Sequence, residues 1–325
     1  MNSFIDQTQP NIDMPTLIQQ NISLSDKNWF KTGGNARYYC QPTTSKEFSQ
    51  SLLFAQSNNL DIFVLGQGAN VLISDDGFDG LVIHPKTEQI SHILQNNHTA
   101  QVTAGAGTIF NDLIEYCFKN NLINLEEFSG IPGTVGGSVY INLHYYEFFL
   151  AQFLLQATVI NKHTGTTETV DASWFEFGYD ISKLHAKDYY LIDATFATKQ
   201  ATDLEIAYAR GRKSEMVRHR SRRFPTINTC GSFFRNFLPH EVVTTEKKLI
   251  YVAYYLDKIG IKGELQVGDA IVSYQHANMI VNRGAATSSD IINLAKLMQS
   301  MVHKEFNITP QPECQLIGFK QNPLL

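Results

Sequence analysis

The sequence predicts an α+β fold, in which strands are joined mostly by turns, followed by a smaller α/β domain. Short apolar runs, typical of buried strands, follow one another with polar or glycine-rich turns between them. Helical periodicity in this first part is confined to a few segments, chiefly 45–58 and 111–120. The composition then changes near residue 210, where basic residues become frequent. These observations favour two domains of unequal size.

The predicted elements follow in order along the chain. Residues 1–24 are polar and mixed, which favours a loosely held arm. In the first domain, residues 25–209, helix 45–58 is expected to be capped by Thr44 or Ser45. The apolar runs there predict strands at 62–65, 71–74, 81–83, 101–106, 157–160, 167–170 and 189–192. In the second domain, residues 210–325, the pattern predicts helices at 249–259 and 289–306 and strands at 269–273 and 279–281. Thr287 and Asp290 resemble a capping box before the last helix.

Composition limits the class of protein. A formal net charge of −5 and a pI near 6.1 argue against a nucleic-acid-binding protein. The sequence has no apolar run long enough to predict a membrane span, and no basic-then-apolar segment at its start to predict a secretory signal. Four scattered cysteines without CxxC spacing favour reduced thiols over disulfides or a zinc site: Cys40, Cys117, Cys230 and Cys314. A cytoplasmic protein is therefore expected.

Two glycine-rich segments are the candidate ligand-binding elements. Gly66–Asn70 lies between two predicted strands, and residues 130–137 hold four glycines and one proline. Because glycine has no Cβ, backbone amides there can approach a ligand, and successive amides suit a pyrophosphate. For either segment alone, an ordinary turn is the alternative. Gly66–Asn70 opens no predicted helix, so it is not a dinucleotide-binding fingerprint, and a GxxxxGK phosphate loop is absent from the sequence.

A basic segment follows at 210–223. It holds seven positive charges against one acid, Glu215; the seven are Arg210, Arg212, Lys213, Arg218, Arg220, Arg222 and Arg223. One interpretation is a solvated helix face or an inter-domain linker. The other is a patch that steers the phosphates of a nucleotide into a site.

Taken together, these segments resemble the UDP-N-acetylenolpyruvoylglucosamine reductase (MurB) family of flavoenzymes, from about residue 29 to residue 318. No single segment is specific, but their order and spacing are. The segments that carry the resemblance are Leu65–Asn70, Ser129–Gly137, Gly231–Asn236, His276–Asn278 with Asn282, and Pro312–Glu313 followed by Ile317–Gly318.

The resemblance implies an FAD-binding domain of two α+β halves and a C-terminal substrate domain. FAD would lie between the halves. Backbone amides would bind its pyrophosphate without the help of a helix N-terminus. The cofactor-binding residues would be Gly66, Gln67, Gly68, Ala69, Asn70, Gly130, Ile131, Gly133, Thr134, Gly136 and Gly137. It also implies that NADPH reduces the flavin, and that flavin N5 passes a hydride to the enolpyruvyl group of a UDP-sugar to give UDP-N-acetylmuramate. A monomer without a membrane or nucleic-acid partner is expected.

The chemistry implied by the resemblance requires a proton donor to carbon and groups that stabilise an enolate. Ser232 matches the family's proton donor, and Glu313 matches the acid that polarises the enolate side, as a neutral acid or through water. Tyr179 and Asn236 match substrate-binding positions, Asn236 at the nucleotide. Lys262 is a looser match to a contact with a substrate phosphate. Outside the family context, a serine after glycine or a single glutamate is more often structural.

Two segments depart from the family pattern. The family's Gly-Tyr-Arg corresponds here to Gly178-Tyr179-Asp180, so a carboxylate replaces the arginine expected beside the flavin and the substrate carboxylate. At low dielectric this change would repel an anionic enolate by several kcal/mol, and by less where water is present. The family's turn of small residues corresponds to the bulky Asn142–Glu147, which is expected to crowd the flavin or to reshape the substrate entrance.

The sequence leaves three functions open. The first is an active reductase in which Lys183 or an arginine of the basic segment replaces the missing arginine. The second is a flavoprotein of the same fold with another substrate or weak activity. The third is a binding protein that holds no flavin.

Overall fold

The structure is a computed structural model that describes residues 15–95 and 98–324. The helices of this part are α1 (Ser45–Ser57), α2 (Phe110–Lys119), α3 (Val135–Tyr140), α4 (Asp203–Arg223), α5 (Val252–Lys258) and α6 (Ser288–Phe306). Its strands are β1 (Ile18–Ser23), β2 (Asn35–Cys40), β3 (Asp61–Val64), β4 (Val71–Ile73), β5 (Phe78–Ile83), β6 (Ile90–Leu94), β7 (Thr99–Gly105), β8 (Leu122–Ile123), β9 (His144–Tyr145), β10 (Phe148–Phe149), β11 (Leu154–Asn161), β12 (Thr167–Asp171), β13 (Tyr189–Gln200), β14 (Gln266–Val267), β15 (Ala270–Val272), β16 (Ile280–Asn282) and β17 (Gln315–Ile317). None of the described helices is long and apolar enough to cross a membrane.

The N-terminal part consists of two α+β halves, as the sequence predicts. The first half is a mixed sheet of order β1-β2-β5-β3, and α1 buries Phe48 and Leu52 in a cluster with Leu81 and Ile83 of β5. The second half is an antiparallel sheet of order β12-β11-β13-β7-β6, with β8 paired to β13. Its helix α2 buries an apolar face against this sheet. Thr44 caps α1, because its side chain accepts a hydrogen bond from the amide of Glu47.

The loosely held arm expected over residues 1–24 is wrong for residues 18–23. They form strand β1, which pairs antiparallel with β2 in a register that places Ile18 opposite Cys40. Ile18 is buried, while most of the strand's other side chains are polar and exposed. Strand pairing satisfies backbone groups whatever the side chains are, so a polar segment can serve as an edge strand. Residues 1–14 lie outside the described residues.

The C-terminal part is built around a second core, which also includes Phe30 and Leu72 of the N-terminal part. Helix α6 packs Ile291, Leu294 and Met298 with Val272 and Ile280 of the antiparallel sheet β14-β15-β16. The predicted capping box is present at the start of α6, where Thr287 and Asp290 exchange hydrogen bonds between side chain and backbone. The helix predicted at 249–259 is shorter and begins at Val252.

Helix α4 connects the two parts. Residue 210, where the composition changes, lies in the middle of this continuous helix, and Ile206 and Ala209 pack into the core of the second half of the N-terminal part. The residues that the C-terminal part contributes to its core begin further along, at Cys230.

The C-terminal end of the chain returns to the N-terminal part. Strand β17 pairs parallel with β4, with Gln315 opposite Val71 and Ile317 opposite Ile73. The amide of Gln315 donates to the carbonyl of Asn70 over 3.1 Å. This pairing brings Glu313 next to the first glycine segment, although the two are far apart in sequence.

Candidate active site

A cavity of about 690 Å³ lies between the two parts of the molecule. Cofactor and small-molecule sites typically have volumes of about 300–1,000 Å³. Most of the predicted site residues line it: Gly66, Gln67, Gly68, Ala69, Asn70, Ile131, Gly133, Thr134, Gly136, Gly137, Tyr179, Ser232, Asn236 and Glu313. Gly130 and Lys262 are not among its lining residues.

The first glycine loop, Gly66–Asn70, connects β3 to β4 without a helix, as predicted. None of its five amides donates a hydrogen bond to a described residue. The side-chain oxygens Gln67 Oε1 and Asn70 Oδ1 are buried and also lack a partner there. Gly68 has φ +68°, and a Cβ on it would lie 2.5 Å from the carbonyl oxygen of Lys27. The loop is therefore held in one shape by its surroundings while its amides remain available to an anion.

The expectation of bare amides without a helix N-terminus is wrong for the second glycine loop. Residues 135–140 form the short helix α3, capped by Thr134, whose side chain accepts from the amide of Gly137. The amide of Gly136 donates to the carbonyl of Ala106 over 2.9 Å. A Cβ on Gly133 or Gly137 would meet no atom closer than 3.6 Å. These two glycines line the cavity, and because they have no side chain a ligand can approach the backbone closely there.

Gly130 lies against α4 instead. A Cβ on it would be 3.2 Å from Val217, and its carbonyl accepts a hydrogen bond from Nε of Arg220 over 3.3 Å. Its own amide donates to Asn111. Gly130 thus spaces the second loop from the basic helix.

The first part of the basic segment forms ion pairs within the protein. Arg212 pairs with the buried Glu127 at 2.8 Å, and Arg210 and Lys213 both contact Glu115 of α2. Burial raises the pKa of Glu127, and Arg212 opposes that rise. These contacts support the structural interpretation for this part of the segment.

Two arginines of the same segment, Arg220 and Arg223, line the cavity. The guanidinium of Arg220 lies over the rings of Tyr145 and Phe224, at 5.6 and 5.2 Å from their centroids. Burial lowers the pKa of Arg220 from its ordinary value, yet a guanidinium stays charged in proteins. The interpretation as a phosphate-steering patch is thus restricted to the C-terminal end of α4.

Ser232 lies on a loop that Asn278 holds in place. The Asn278 side chain accepts from the amide of Phe234 over 3.0 Å and donates to its carbonyl over 2.7 Å, while the Asn278 carbonyl accepts from the amide of Phe233. Gly231, with φ +79°, lets the chain turn just before Ser232. The Ser232 hydroxyl makes no hydrogen bond to a described residue and lines the cavity. It is therefore free to meet a substrate.

Glu313 lies opposite this loop, because its amide donates to the carbonyl of Phe233 over 2.9 Å. Burial, and secondarily the charge of Asp180, raises the pKa of Glu313 from 4.5 to about 8. Part of its surface still faces the cavity. At neutral pH the carboxyl group is accordingly protonated and can donate a hydrogen bond.

The two departures from the family pattern meet in space. Nδ1 of His144, from the bulky segment, lies 3.4 Å from Oδ1 of Asp180. The His144 ring also packs against Tyr179, with centroids 4.6 Å apart. Burial raises the pKa of Asp180, and His144 opposes the rise. Sequence reasoning missed His144, since a local pattern does not show that residues 144 and 180 are neighbours.

The predicted substrate residues divide into two groups. Asn236 donates to the hydroxyl of Tyr179 over 3.1 Å, so this predicted pair is brought together at the cavity. Burial, followed by the charge of Asp180, raises the pKa of Tyr179 to about 12. Lys262 pairs instead with Asp257 at 3.0 Å.

Lys183, one of the suggested replacements for the missing arginine, pairs with Glu176 at 3.1 Å and lies over Trp174. It is not among the residues that line the cavity. Of the cations suggested from sequence as replacements, Arg220 and Arg223 are the ones that line it.

A Glu313→Gln variant is expected to become more stable than the parent chain as pH rises from about 4.5 to 8. In that window the folded state binds the Glu313 proton more tightly than the unfolded state does, so the parent chain loses stability with rising pH. The variant has no such proton to lose, and the change in the stability difference should reach on the order of 5 kcal/mol above pH 8. Urea unfolding across this pH range measures it. A stability difference that does not change with pH would contradict the raised pKa.

Comparison with known proteins identifies the family. Residues 36–171 match the family model described as FAD binding domain, and residues 223–317 match UDP-N-acetylenolpyruvoylglucosamine reductase, C-terminal domain. A UDP-N-acetylenolpyruvoylglucosamine reductase of Trichormus variabilis is 32% identical over 301 residues, which cover 93% of this chain and 86% of that protein. The chain belongs to the UDP-N-acetylenolpyruvoylglucosamine reductase family.

Two further relatives agree with this family. The reductase of the same name from Lactobacillus gasseri is 32% identical over 305 residues, which cover 93% of this chain and 94% of that protein. The crystal structure of UDP-N-acetylenolpyruvylglucosamine reductase (MurB) from Thermus caldophilus superposes with a TM-score of 0.73 at 27% identity and covers 91% of this chain and 97% of that one. The predicted α+β fold, with an FAD-binding domain and a MurB C-terminal domain, is thereby confirmed.

The predicted FAD cofactor agrees with the match to the FAD-binding domain. The residues that line the cavity also fit FAD. The unpaired amides of Gly66–Asn70 and the unpartnered oxygen of Gln67 require hydrogen-bond partners. Gly133 and Gly137 leave room for a ligand against the backbone. Arg220 and Arg223 provide positive charge for phosphates, and the apolar side chains Ile131, Tyr140, Ile141, Leu143 and Leu191 provide surface for a ring system.

Proposed function

We propose that this chain is an FAD-dependent, NADPH-consuming reductase. Its substrate would be the enolpyruvyl ether of UDP-N-acetylglucosamine, and its product UDP-N-acetylmuramate, a precursor of peptidoglycan. The observation that carries the proposal is that Ser232 and Glu313 lie in the same cavity as both glycine loops. The relatives, which are named as UDP-N-acetylenolpyruvoylglucosamine reductases, support the same substrate class.

In this proposal the two loops hold FAD by different means. The amides of Gly66–Asn70 bind its pyrophosphate, while Gly133 and Gly137 let the cofactor lie close to the backbone. Arg220 and Arg223 balance phosphate charge at the cavity wall. Held there, FAD would supply the hydride-transfer chemistry that connects NADPH to the substrate double bond.

The remaining chemistry belongs to the side chains. Ser232 donates a proton to the carbon next to the substrate carboxylate as charge develops there. Glu313, protonated at neutral pH, donates a hydrogen bond to the enolate-like oxygen, and a neutral donor avoids placing a second negative charge beside it. Asn236 and Tyr179, bonded to each other, contact the nucleotide part of the substrate. Lys262 lies outside the cavity lining, so the proposal assigns it no step.

The purified protein and its substrates provide the test. We expect a yellow flavin absorbance and an NADPH oxidation that accelerates when the enolpyruvyl UDP-sugar is added, with UDP-N-acetylmuramate as product. A protein without flavin would be a binding module of the same fold. A flavin that NADPH reduces, but whose turnover the UDP-sugar does not accelerate, would indicate a different substrate and overturn the proposal.

A further inference from the structure

A second cavity, of about 40 Å³, adjoins the active-site cavity. Most of its lining is polar: Asn70, Tyr140, Asp180, His185, Glu313 and Gln315, with Ile141. All of these except His185 also line the larger cavity. The small cavity therefore lies directly beside Glu313, next to the first glycine loop.

Two buried oxygens on this lining, Asn70 Oδ1 and Asp180 Oδ2, have no hydrogen-bond partner among the described residues. A buried acceptor without a donor has lost its hydrogen bonds to bulk water, so native proteins rarely leave one unsatisfied. A cavity volume of about 10–15 Å³ is enough for one water molecule, provided that two to four polar groups surround it. The small cavity meets both conditions.

The other carboxylate oxygen of Asp180 contacts a residue of the larger cavity. Asp180 Oδ1 lies 3.4 Å from Nδ1 of His144, whose side chain is 25% exposed and lines the larger cavity. His185 is the second imidazole nearby, but its Nδ1 already accepts from the amide of Ser182, and its ring stacks on Tyr140 at 3.9 Å. The continuous polar path from Glu313 therefore runs through Asp180 to His144.

We propose that the small cavity binds ordered water, and that this water, Asp180 and His144 form the path by which Glu313 exchanges its proton with solvent. The catalytic use of this path rests on the proposed function. Reduction of the double bond by NADPH consumes one proton from solvent in each turnover. After Ser232 has given its proton to the substrate carbon, it takes one back from Glu313, which lines the same cavity. A proton from solvent then reaches Glu313 through His144, Asp180 and the water, so each group returns to its starting state and no group is oxidised.

The other titratable groups around Glu313 do not provide such a path. Burial raises the pKa of Tyr179 to about 12, raises that of the Cys230 thiol well above its usual range, and raises that of Tyr140. Burial also lowers the pKa of His185, which therefore stays neutral at neutral pH. Asp180 and His144 are left as the contacting pair that connects the small cavity to the larger one.

The test compares His144→Ala with the matched variant His185→Ala in single-turnover experiments that separate the two half-reactions. We expect His144→Ala to slow substrate reduction at least about tenfold, to leave flavin reduction by NADPH unchanged, and to recover when imidazole is added. His185→Ala should show no recovery with imidazole. Equal rates in the two variants, or a loss that imidazole does not reverse, would overturn the path.

A second measurement does not depend on turnover, so it separates failure of the path from failure of the proposed function. The infrared carbonyl band of protonated Glu313, identified by its absence in Glu313→Gln, should exchange hydrogen for deuterium more slowly in His144→Ala than in His185→Ala. A high-resolution crystal structure should show water bonded to both Asp180 Oδ2 and Glu313. If wild-type protein leaves the UDP-sugar unreduced but both results hold, the proposed function fails and the path stands. No water there, or equal exchange rates, would overturn the path.

Discussion

Replacing Ser232 with alanine is expected to slow substrate reduction by about 10²- to 10⁴-fold, the usual contribution of a positioned proton donor. The hydroxyl lines the cavity without a hydrogen bond to any described residue, so its removal should leave the surrounding loop unchanged. Asn278 continues to hold that loop through Phe233 and Phe234. Flavin reduction by NADPH should therefore proceed at the wild-type rate. Stopped-flow absorbance of the flavin measures the two half-reactions separately.

Ser232→Cys is the matched control, because it keeps a group that can donate a proton at nearly the same place. It should retain a rate between those of the wild type and Ser232→Ala. If Ser232→Ala slows both half-reactions equally, Ser232 acts in cofactor binding or folding and the role of proton donor is wrong.

Replacing Gly68 with alanine is expected to weaken FAD binding by at least about 100-fold. A Cβ at this position would lie 2.5 Å from the carbonyl oxygen of Lys27 and 2.6 Å from Cα of Asn28, both backbone atoms that cannot move aside cheaply. The loop must shift, and it then loses hydrogen bonds from its amides to the pyrophosphate. Each bond to a charged group is worth about 1.5–3 kcal/mol, so one lost bond already approaches this factor. Titration of the apoprotein with FAD, followed by flavin fluorescence, measures the affinity.

Gly260→Ala separates the steric effect from backbone strain. Gly260 has φ +71°, close to the +68° of Gly68, but a Cβ there would meet no atom within 4 Å, and Gly260 does not line the cavity. Both variants carry the cost of about 1–2 kcal/mol for a left-handed residue. Gly260→Ala should therefore lose thermal stability yet bind FAD like the parent chain. An equal loss of FAD affinity in both variants would show that the effect at Gly68 is general destabilisation.

The local elements of this protein could be predicted from its sequence. The periodicity of 45–58 and 111–120 predicted α1 and α2, and the Thr287–Asp290 pair predicted the start of α6. These features depend on interactions between residues three or four positions apart, so a short segment of sequence is enough to predict them. The polar strand β1 was missed for the complementary reason, because its backbone bonds to a strand elsewhere in the chain.

The candidate site could be predicted only as separate pieces. The glycine segments, Ser232 and Glu313 are visible in the sequence, but the use of each glycine is not. Gly68 is required by contact with Lys27 and Asn28, whereas the amide of Gly136 is taken by Ala106. Such contacts depend on the packing of distant segments.

The family resemblance, the order of the elements and the residue types available for chemistry can be read from the sequence. Which of those residues come into contact depends on the tertiary structure. Parallel pairing of β17 with β4 carries Glu313 to Asn70, and packing of the bulky segment at 142–147 brings His144 to Asp180. In the basic segment, Arg220 and Arg223 line the cavity, whereas Arg210, Arg212 and Lys213 form ion pairs with Glu115 and Glu127. Long-range strand pairing and the burial of charged groups depend on the free energy of the whole fold. They therefore cannot be predicted from a short segment of the sequence.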